Sequence, residues 1–168
     1  MSLSAHTLQR AQECLREGNI ADAQLLSKRV LARSPRNPDA LCVLGVSHLI
    51  SGSARDAVPL FEQALSVAPR HGVVLEHLGL ALLLLARYGE AEHALRRAAT
   101  IPGAPASVMM RLGIALLRLE RHGDAVEALT RALELSPDDV DCRLNLGQAL
   151  AHSGDIARAR AHFETILR

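Results

Sequence analysis

The chain of 168 residues is poor in aromatic side chains: it has no tryptophan, one tyrosine and two phenylalanines. Apolar residues nevertheless make up 49% of it, so the core has to be built from closely spaced aliphatic side chains. The 19 basic and 18 acidic residues nearly balance, and neither a basic stripe nor an aromatic platform is present. A nucleic-acid ligand is therefore not expected.

Long apolar runs are also missing. The longest uncharged one, residues 78–86, is about half of the ~18 residues that a membrane span needs, and no secretory signal is recognisable at the N-terminus. The cysteines Cys14, Cys42 and Cys142 are odd in number and form no C-x-x-C pair. We therefore expect reduced thiols and a cytoplasmic protein without a membrane span.

Motifs for catalysis or metal binding are absent as well. The eight histidines show no H-x-x-x-H spacing and have no cysteine at zinc-finger spacing. No glycine-rich phosphate loop or nucleophile elbow occurs. We predict that the chain is not an enzyme and binds no metal or cofactor. His71 and His122 fall in predicted turns, where we expect them to be solvated.

What the sequence does have is a strict period of 34 residues in its small side chains. Such a period is typical of one supersecondary unit copied along the chain, which gives a solenoid. Helices approach closely where small residues meet, so we predict that Gly45 faces Ala57 within one hairpin and that Gly113 faces Ala125. The structural repeat positions are Gly45, Ala57, Gly79, Ala91, Gly113, Ala125, Gly147 and Ala159.

Each unit reads as two helices. Residues 41–48 and 57–65 carry apolar side chains at helical spacing, and a break at residues 51–53 separates them. Asn37 before a proline predicts the N-cap of the first helix. Ser53 with Asp56 is typical of a capping box at the start of the second.

This pattern resembles the tetratricopeptide repeat family. The matching residues are Leu44-Gly45…Ala57…Phe61…Ala64…Pro69 and Leu112-Gly113…Ala125…Leu129…Ala132…Pro137. The resemblance implies an all-α fold, a right-handed α-solenoid of stacked helix-turn-helix hairpins. It predicts a single array over residues 4–168, with units of about 4–37, 38–71, 72–105, 106–139 and 140–168, the last of them truncated.

In arrays of this kind the first helices line a concave groove. The outward positions of these helices are mostly aliphatic here, so we expect the groove to bind an apolar or amphipathic segment of a protein partner. Leu83 or Leu84 is the position most expected to be core instead, and Cys42 is expected to face the groove. Arg111, Arg118, His77 and His152 either pair with an acidic group or are solvated. The predicted groove residues are Val43, Val46, Glu76, His77, Leu80, Leu83, Met110, Arg111, Ile114, Leu117, Arg118, Asn145 and Gln148.

Two other functions stay open at this point. The array is also compatible with the recognition arm of a larger bacterial enzyme, of the glycosyltransferase or sulfotransferase type. Alternatively, it is a scaffold that forms homo-oligomers through the apolar groove or through an uncapped C-terminal end.

Overall fold

The computed structural model describes residues 3–167, which form ten α-helices and no strand. The all-α prediction is confirmed. The chain divides into two compact units, Met1–Leu85 and Ala86–Arg168, called the first unit and the second unit below. The single continuous array over residues 4–168 stays a prediction.

The first unit holds five helices, in which each helix packs against the next one along the chain. The first helices of successive hairpins also touch: α1 contacts α3, and α3 contacts α5. The helices are α1 (Leu3–Arg16), α2 (Ile20–Arg33), α3 (Pro38–Ile50), α4 (Ala54–Val67) and α5 (Gly72–Leu84).

Local sequence explains the start of α3 but only part of the start of α4. The Asn37 side chain accepts a hydrogen bond from the backbone N–H of Ala40 at 2.9 Å, and Pro38 occupies the first turn, so the predicted N-cap is confirmed. Ser53 is the N-cap residue of α4, yet its side chain makes no capping hydrogen bond. The predicted capping box is therefore wrong, and Asp56 remains as a first-turn acid that suits the helix dipole.

The second unit repeats this arrangement. Helices α6 to α10 pack in sequence, and α7 contacts α9. Aspartates cap the last two helices: Asp139 accepts from the N–H of Cys142 at 2.8 Å, and Asp155 from that of Arg158 at 3.1 Å. The helices are α6 (Tyr88–Ala99), α7 (Ala106–Arg118), α8 (His122–Leu135), α9 (Val140–His152) and α10 (Ile156–Ile166).

The eight predicted repeat positions are all buried, but the partner predicted for the glycines is wrong. A Cβ built on Gly45 would lie 2.6 Å from Phe61 Cε1, and its three nearest atoms all belong to that ring, not to Ala57. Gly113 likewise faces Leu129, not Ala125, with a Cβ–Cγ distance of 2.4 Å. The glycine makes room for the larger side chain one helical turn beyond the alanine.

The turn inside each hairpin has a second 34-residue repeat, in its backbone. Gly18, Gly52 and Gly154 adopt positive φ angles of 76°, 78° and 91°. Ala86 and Glu120 occupy the same register with φ of 57° and 58°. Glycine suits this left-handed conformation, whereas Ala86 and Glu120 adopt it at a cost.

Candidate functional site

In the first unit, the predicted groove positions lie on α3 and α5, which touch. Val46 on α3 and Leu80 on α5 share one register, and both are half-buried, as is Leu83. At the ends of these helices, Ile50 is 56% exposed and Leu84 is 63% exposed. Leu84 is therefore not core and Leu83 is only half-buried, so the expectation that one of them is core is wrong, and the first unit carries an aliphatic surface at this place. We call Val46, Ile50, Leu80, Leu83 and Leu84 the aliphatic face.

Val43 does not belong to this face. It is 4% exposed and packs in a core cluster with Ala11, Cys14 and Ala23, because α1 and α2 cover that side of α3. The prediction that Val43 lines a groove is corrected accordingly. Cys42 is also buried, at 7% exposure, so it does not face a groove.

His77 and Glu76 are half-buried on α5. His77 Nδ1 donates a hydrogen bond to the carbonyl of Val73 at 2.8 Å, and its ring centroid lies 6.2 Å from that of Phe61. His77 is therefore engaged on one side by its own helix and by α4.

In the second unit, several predicted residues come together in one cleft between α7 and α9, with a volume of about 390 Å³. Ile114 and Leu117 supply its apolar wall, while Asn145 and Gln148 on α9 supply amide groups. We call it the α7–α9 cleft. Its lining residues are Ile114, Leu117, Arg118, Glu120, His122, Asn145, Gln148 and His152.

Two of the residues that line this cleft are stacked imidazoles. The rings of His122 and His152 have centroids 5.0 Å apart and planes 20° from parallel. His122 Nδ1 is buried and has no hydrogen-bond partner within the described part of the chain. The expectation that His122 is solvated in a turn is therefore wrong: it begins α8 and lies against α9.

The cleft also contains Glu120, which sequence reasoning did not select. Glu120 occupies the left-handed turn position, and His122 follows two residues later. The sequence carries glycines in this register at residues 18, 52 and 154. This spacing was the available signal, because it places position 120 in the turn at the end of the first helix. Met110 and Arg111 are half-buried on α7 but do not line the cleft.

His71 also differs from expectation. Its Nε2 lies 2.9 Å from Asp39 Oδ1, and the side chain is 23% exposed. This pair joins the starts of α3 and α5. His71 lies in the segment between α4 and α5, but its side chain is partly buried and bound to Asp39 and is not solvated as expected. Among residues 3–167 no group of three or more histidine, cysteine or acidic side chains is placed to hold a metal ion.

The cysteines are buried free thiols. Burial, assisted by Asp39, raises the pKa of Cys42 to about 12. Burial and then Asp139 raise the pKa of Cys142 to about 11, against a smaller opposing effect of Arg143. Neither thiol is activated as a nucleophile.

Within residues 3–167, none of the helices combines the length and the apolar character required to cross a bilayer.

Paired helices repeated at a fixed period, with buried glycines at the helix contacts, define a helical-repeat protein. The family model described as "Tetratricopeptide repeat" matches residues 110–168. The model described as "Anaphase-promoting complex, cyclosome, subunit 3" matches residues 16–98. The chain is a tetratricopeptide repeat protein, and its fold is that of a protein-interaction module.

Solved structures show the same fold. MamA 41-end from Desulfovibrio magneticus RS-1 is 25% identical, with a TM-score of 0.87 over 99% of this chain and 95% of that one. MamA AMB-1 is 24% identical, with a TM-score of 0.84 over 95% of each chain. A further MamA crystal structure is 21% identical, with a TM-score of 0.84 over 98% and 90% of the two chains. No curated protein sequence matches this chain.

Proposed function

We propose that the protein is an interaction module that binds an apolar or amphipathic segment of a partner protein on the outward side of its first helices. The observation that carries this proposal is the α7–α9 cleft, in which five residues selected from the sequence meet: Ile114, Leu117, Arg118, Asn145 and Gln148. An apolar wall with a polar rim is the usual composition of a peptide-binding surface.

The aliphatic face of the first unit supports the same function independently. Leu84 and Ile50 leave more than half of their surface in water, at a cost that a covering partner would remove. Complete burial of one leucine contributes roughly 1.5–3 kcal/mol before the costs of association are subtracted. Association costs at least about 4 kcal/mol, so three such anchors, at about 4.5–9 kcal/mol gross, reach micromolar affinity only if the partner buries apolar side chains of its own as well.

The two surfaces differ in chemistry, and the ligand is expected to reflect this. The aliphatic face offers apolar contacts alone. The α7–α9 cleft adds Arg118 and two imidazoles, against the single carboxylate of Glu120. A segment that binds in the cleft is therefore expected to combine an apolar anchor with an acidic or amide side chain.

The test uses peptides that are selected from a displayed random library for binding to the intact chain. Their affinities are then measured by calorimetry for the wild type and for Leu80→Asp and Ile114→Asp. Each substitution places a charge on one of the two surfaces, so peptides for that surface should bind at least roughly tenfold more weakly. Leu80→Ala and Ile114→Ala provide milder variants if an aspartate disturbs folding.

The matched control is Leu135→Asp. Leu135 ends α8, is 60% exposed and lies outside both surfaces, so the same change there should leave affinity unaltered. Selected peptides that bind all three folded aspartate variants equally well would exclude both surfaces as binding sites.

The homo-oligomer alternative has a separate test. A homo-oligomer formed through these surfaces should dissociate in the double variant Leu80→Asp, Ile114→Asp, as measured by analytical ultracentrifugation. The absence of enzymatic activity and the cytoplasmic location stay predictions from the sequence.

A further inference from the structure

Three of the positions at which the fifth hairpin departs from the repeat carry basic side chains. Arg143 stands where earlier hairpins bury Leu41, Leu75 and Met109, at 2%, 1% and 5% exposure. Because a long charged side chain replaces a packed apolar one, less apolar surface is buried at this position.

The other two departures lie on α10. Arg158 occupies the first-turn register that is acidic in the earlier hairpins, at Asp22, Asp56, Glu90 and Asp124. An arginine there also opposes the helix dipole. His162 stands in a register that the earlier hairpins fill with apolar residues, namely Leu26, Leu60 and the buried alanines Ala94 and Ala128.

These three side chains meet in one place. Together they line a cleft of about 280 Å³ formed by α8, α9 and α10, which we call the basic cleft. Each of these departures from the residue type of the repeat costs stability. Several such departures at one place are typical of a functional site. The other lining residues are Thr130, Leu133, Glu134, Pro137 and Leu146.

The positive charges in the basic cleft are incompletely neutralised. Arg143 donates to the neutral carbonyl of Pro137, and no carboxylate in the described part of the chain forms an ion pair with it. Arg158 reaches Asp155 at 3.5 Å with 59% of its side chain exposed. Burial, followed by the charges of Arg143 and Arg158, holds the pKa of His162 below its ordinary value.

We propose that the basic cleft is a second interaction site, which holds a carboxylate side chain from an acidic segment of a partner protein. Arginine guanidinium groups bind carboxylates through paired, charge-assisted hydrogen bonds. Thr130 offers a further donor at the wall. The site lies between α8, α9 and α10 and is separate from the α7–α9 cleft.

A carboxylate suits this cleft better than a phosphate. Glu134 on α8 is the one acidic side chain among the lining residues, and it repels a doubly charged anion more strongly than a singly charged one.

The experiment follows the His162 resonance by NMR, assigned with His162→Gln, as the intact chain is titrated at constant ionic strength. The probes are a short peptide of alternating glutamate and serine, its glutamine counterpart, and sodium phosphate. A carboxylate beside the imidazole opposes the arginine charges, so the glutamate peptide should raise the pKa of His162 in a saturable manner. The glutamine peptide should not.

Two variants test the arginines. Arg143→Met restores the residue type that Met109 provides in the preceding hairpin, and Arg158→Gln removes the second charge. Each should weaken binding of the glutamate peptide roughly tenfold. The matched control is Arg160→Gln: Arg160 lies on the same helix but pairs with Glu164 at 2.7 Å and does not line the cleft, so binding should not change.

The outcomes separate clearly. Saturable binding of the glutamate peptide that is lost in Arg143→Met and Arg158→Gln and kept in Arg160→Gln supports the proposal. Equal binding by all variants overturns it, because the attraction is then a property of net charge. An effect of phosphate without one of the peptide overturns the assignment to a carboxylate, and no effect of any probe overturns the site.

Discussion

Gly113 lies so close to Leu129 that the effect of Gly113→Ala on the free energy of unfolding can be predicted from the distances. A methyl group added at Gly113 would lie 2.4 Å from Leu129 Cγ, 2.8 Å from Cδ2 and 3.1 Å from Cδ1. Carbon atoms in good contact are about 3.5–4.0 Å apart. Leu129 is fully buried, so the side chain cannot move aside into solvent.

Gly113→Ala therefore sets two effects against each other. Replacing a helical glycine by alanine contributes about 1 kcal/mol in favour of the helix. Overpacking a filled core costs about 1–3 kcal/mol, and contact with three atoms of one branched side chain puts this site at the upper end. We expect the free energy of unfolding to fall by about 2 kcal/mol.

The assay is urea denaturation followed by far-ultraviolet circular dichroism, since the chain has no tryptophan for fluorescence. Both the midpoint and the slope are required, because repeat arrays do not always unfold in one step. Gly123→Ala is the matched control: Gly123 is also helical, on α8, and nothing lies within 4 Å of its added methyl. It should be neutral or stabilising by up to about 1 kcal/mol.

A double-mutant cycle decides whether the contact itself is responsible. Leu129→Ala alone should cost about 2–5 kcal/mol. In the double variant the new methyl at position 113 enters the space that Leu129 has left, so the two losses should combine to less than their sum by at least about 1 kcal/mol. Strict additivity, or a Gly113→Ala protein as stable as Gly123→Ala, would refute the packing scheme.

Two further predictions concern the turns and the thiols. Glu120→Gly replaces a residue with a strained left-handed backbone by one that adopts this conformation freely. The free energy of unfolding should rise by roughly 0.5–1 kcal/mol after the greater entropy of glycine in the unfolded chain is subtracted. Gly154→Ala in the same register should lower it, and urea midpoints that move in the opposite directions would contradict the role given to this turn. Cys14, Cys42 and Cys142 are all buried, and burial raises the pKa of Cys42 to about 12 and of Cys142 to about 11, so the folded protein should not react with a thiol-specific disulfide reagent near pH 8. Above the ordinary thiol pKa the unfolded chain loses the protons of Cys42 and Cys142, whereas the folded chain keeps them until the pH reaches the raised pKa values. The free energy of unfolding should therefore be unaffected by these thiols below about pH 9 and should fall between about pH 9 and 12. A reaction of folded Cys42 at pH 8 would show that the thiol is accessible.

The repeat period was sufficient to predict the hairpins, because a fixed spacing of small residues constrains where helices meet. It did not identify the partner of each glycine. That partner depends on how two helices cross, and a shift of one turn replaces Ala57 by Phe61 opposite Gly45. The sequence contains the size of each side chain but not the crossing geometry.

The candidate surfaces show a similar division. On α7 the apolar and polar positions separate, and Ile114, Leu117 and Arg118 do line one cleft. At the end of α5, the apolar run of residues 78–86 contains no polar side chain that would fix the helix orientation, and the expectation that Leu83 or Leu84 is core was wrong. The burial of Val43 depends on α1 and α2, which no pattern within α3 reveals.

Within each unit, specificity has to come from positions that the repeat leaves free. The last residue of the first helix illustrates this: it is Arg16, Ile50 and Leu84 in the first unit, of which the two apolar ones are more than half exposed, and Arg118 and His152 in the second. The backbone register is the same, so the change from apolar to basic alters what each surface binds without altering the fold. The basic cleft follows the same logic, because Arg143 replaces a packed residue where the fold itself would favour methionine or leucine. Restoring such positions to the repeat type should therefore preserve folding and remove binding, which is the opposite of what substitutions at the buried glycines and alanines should do.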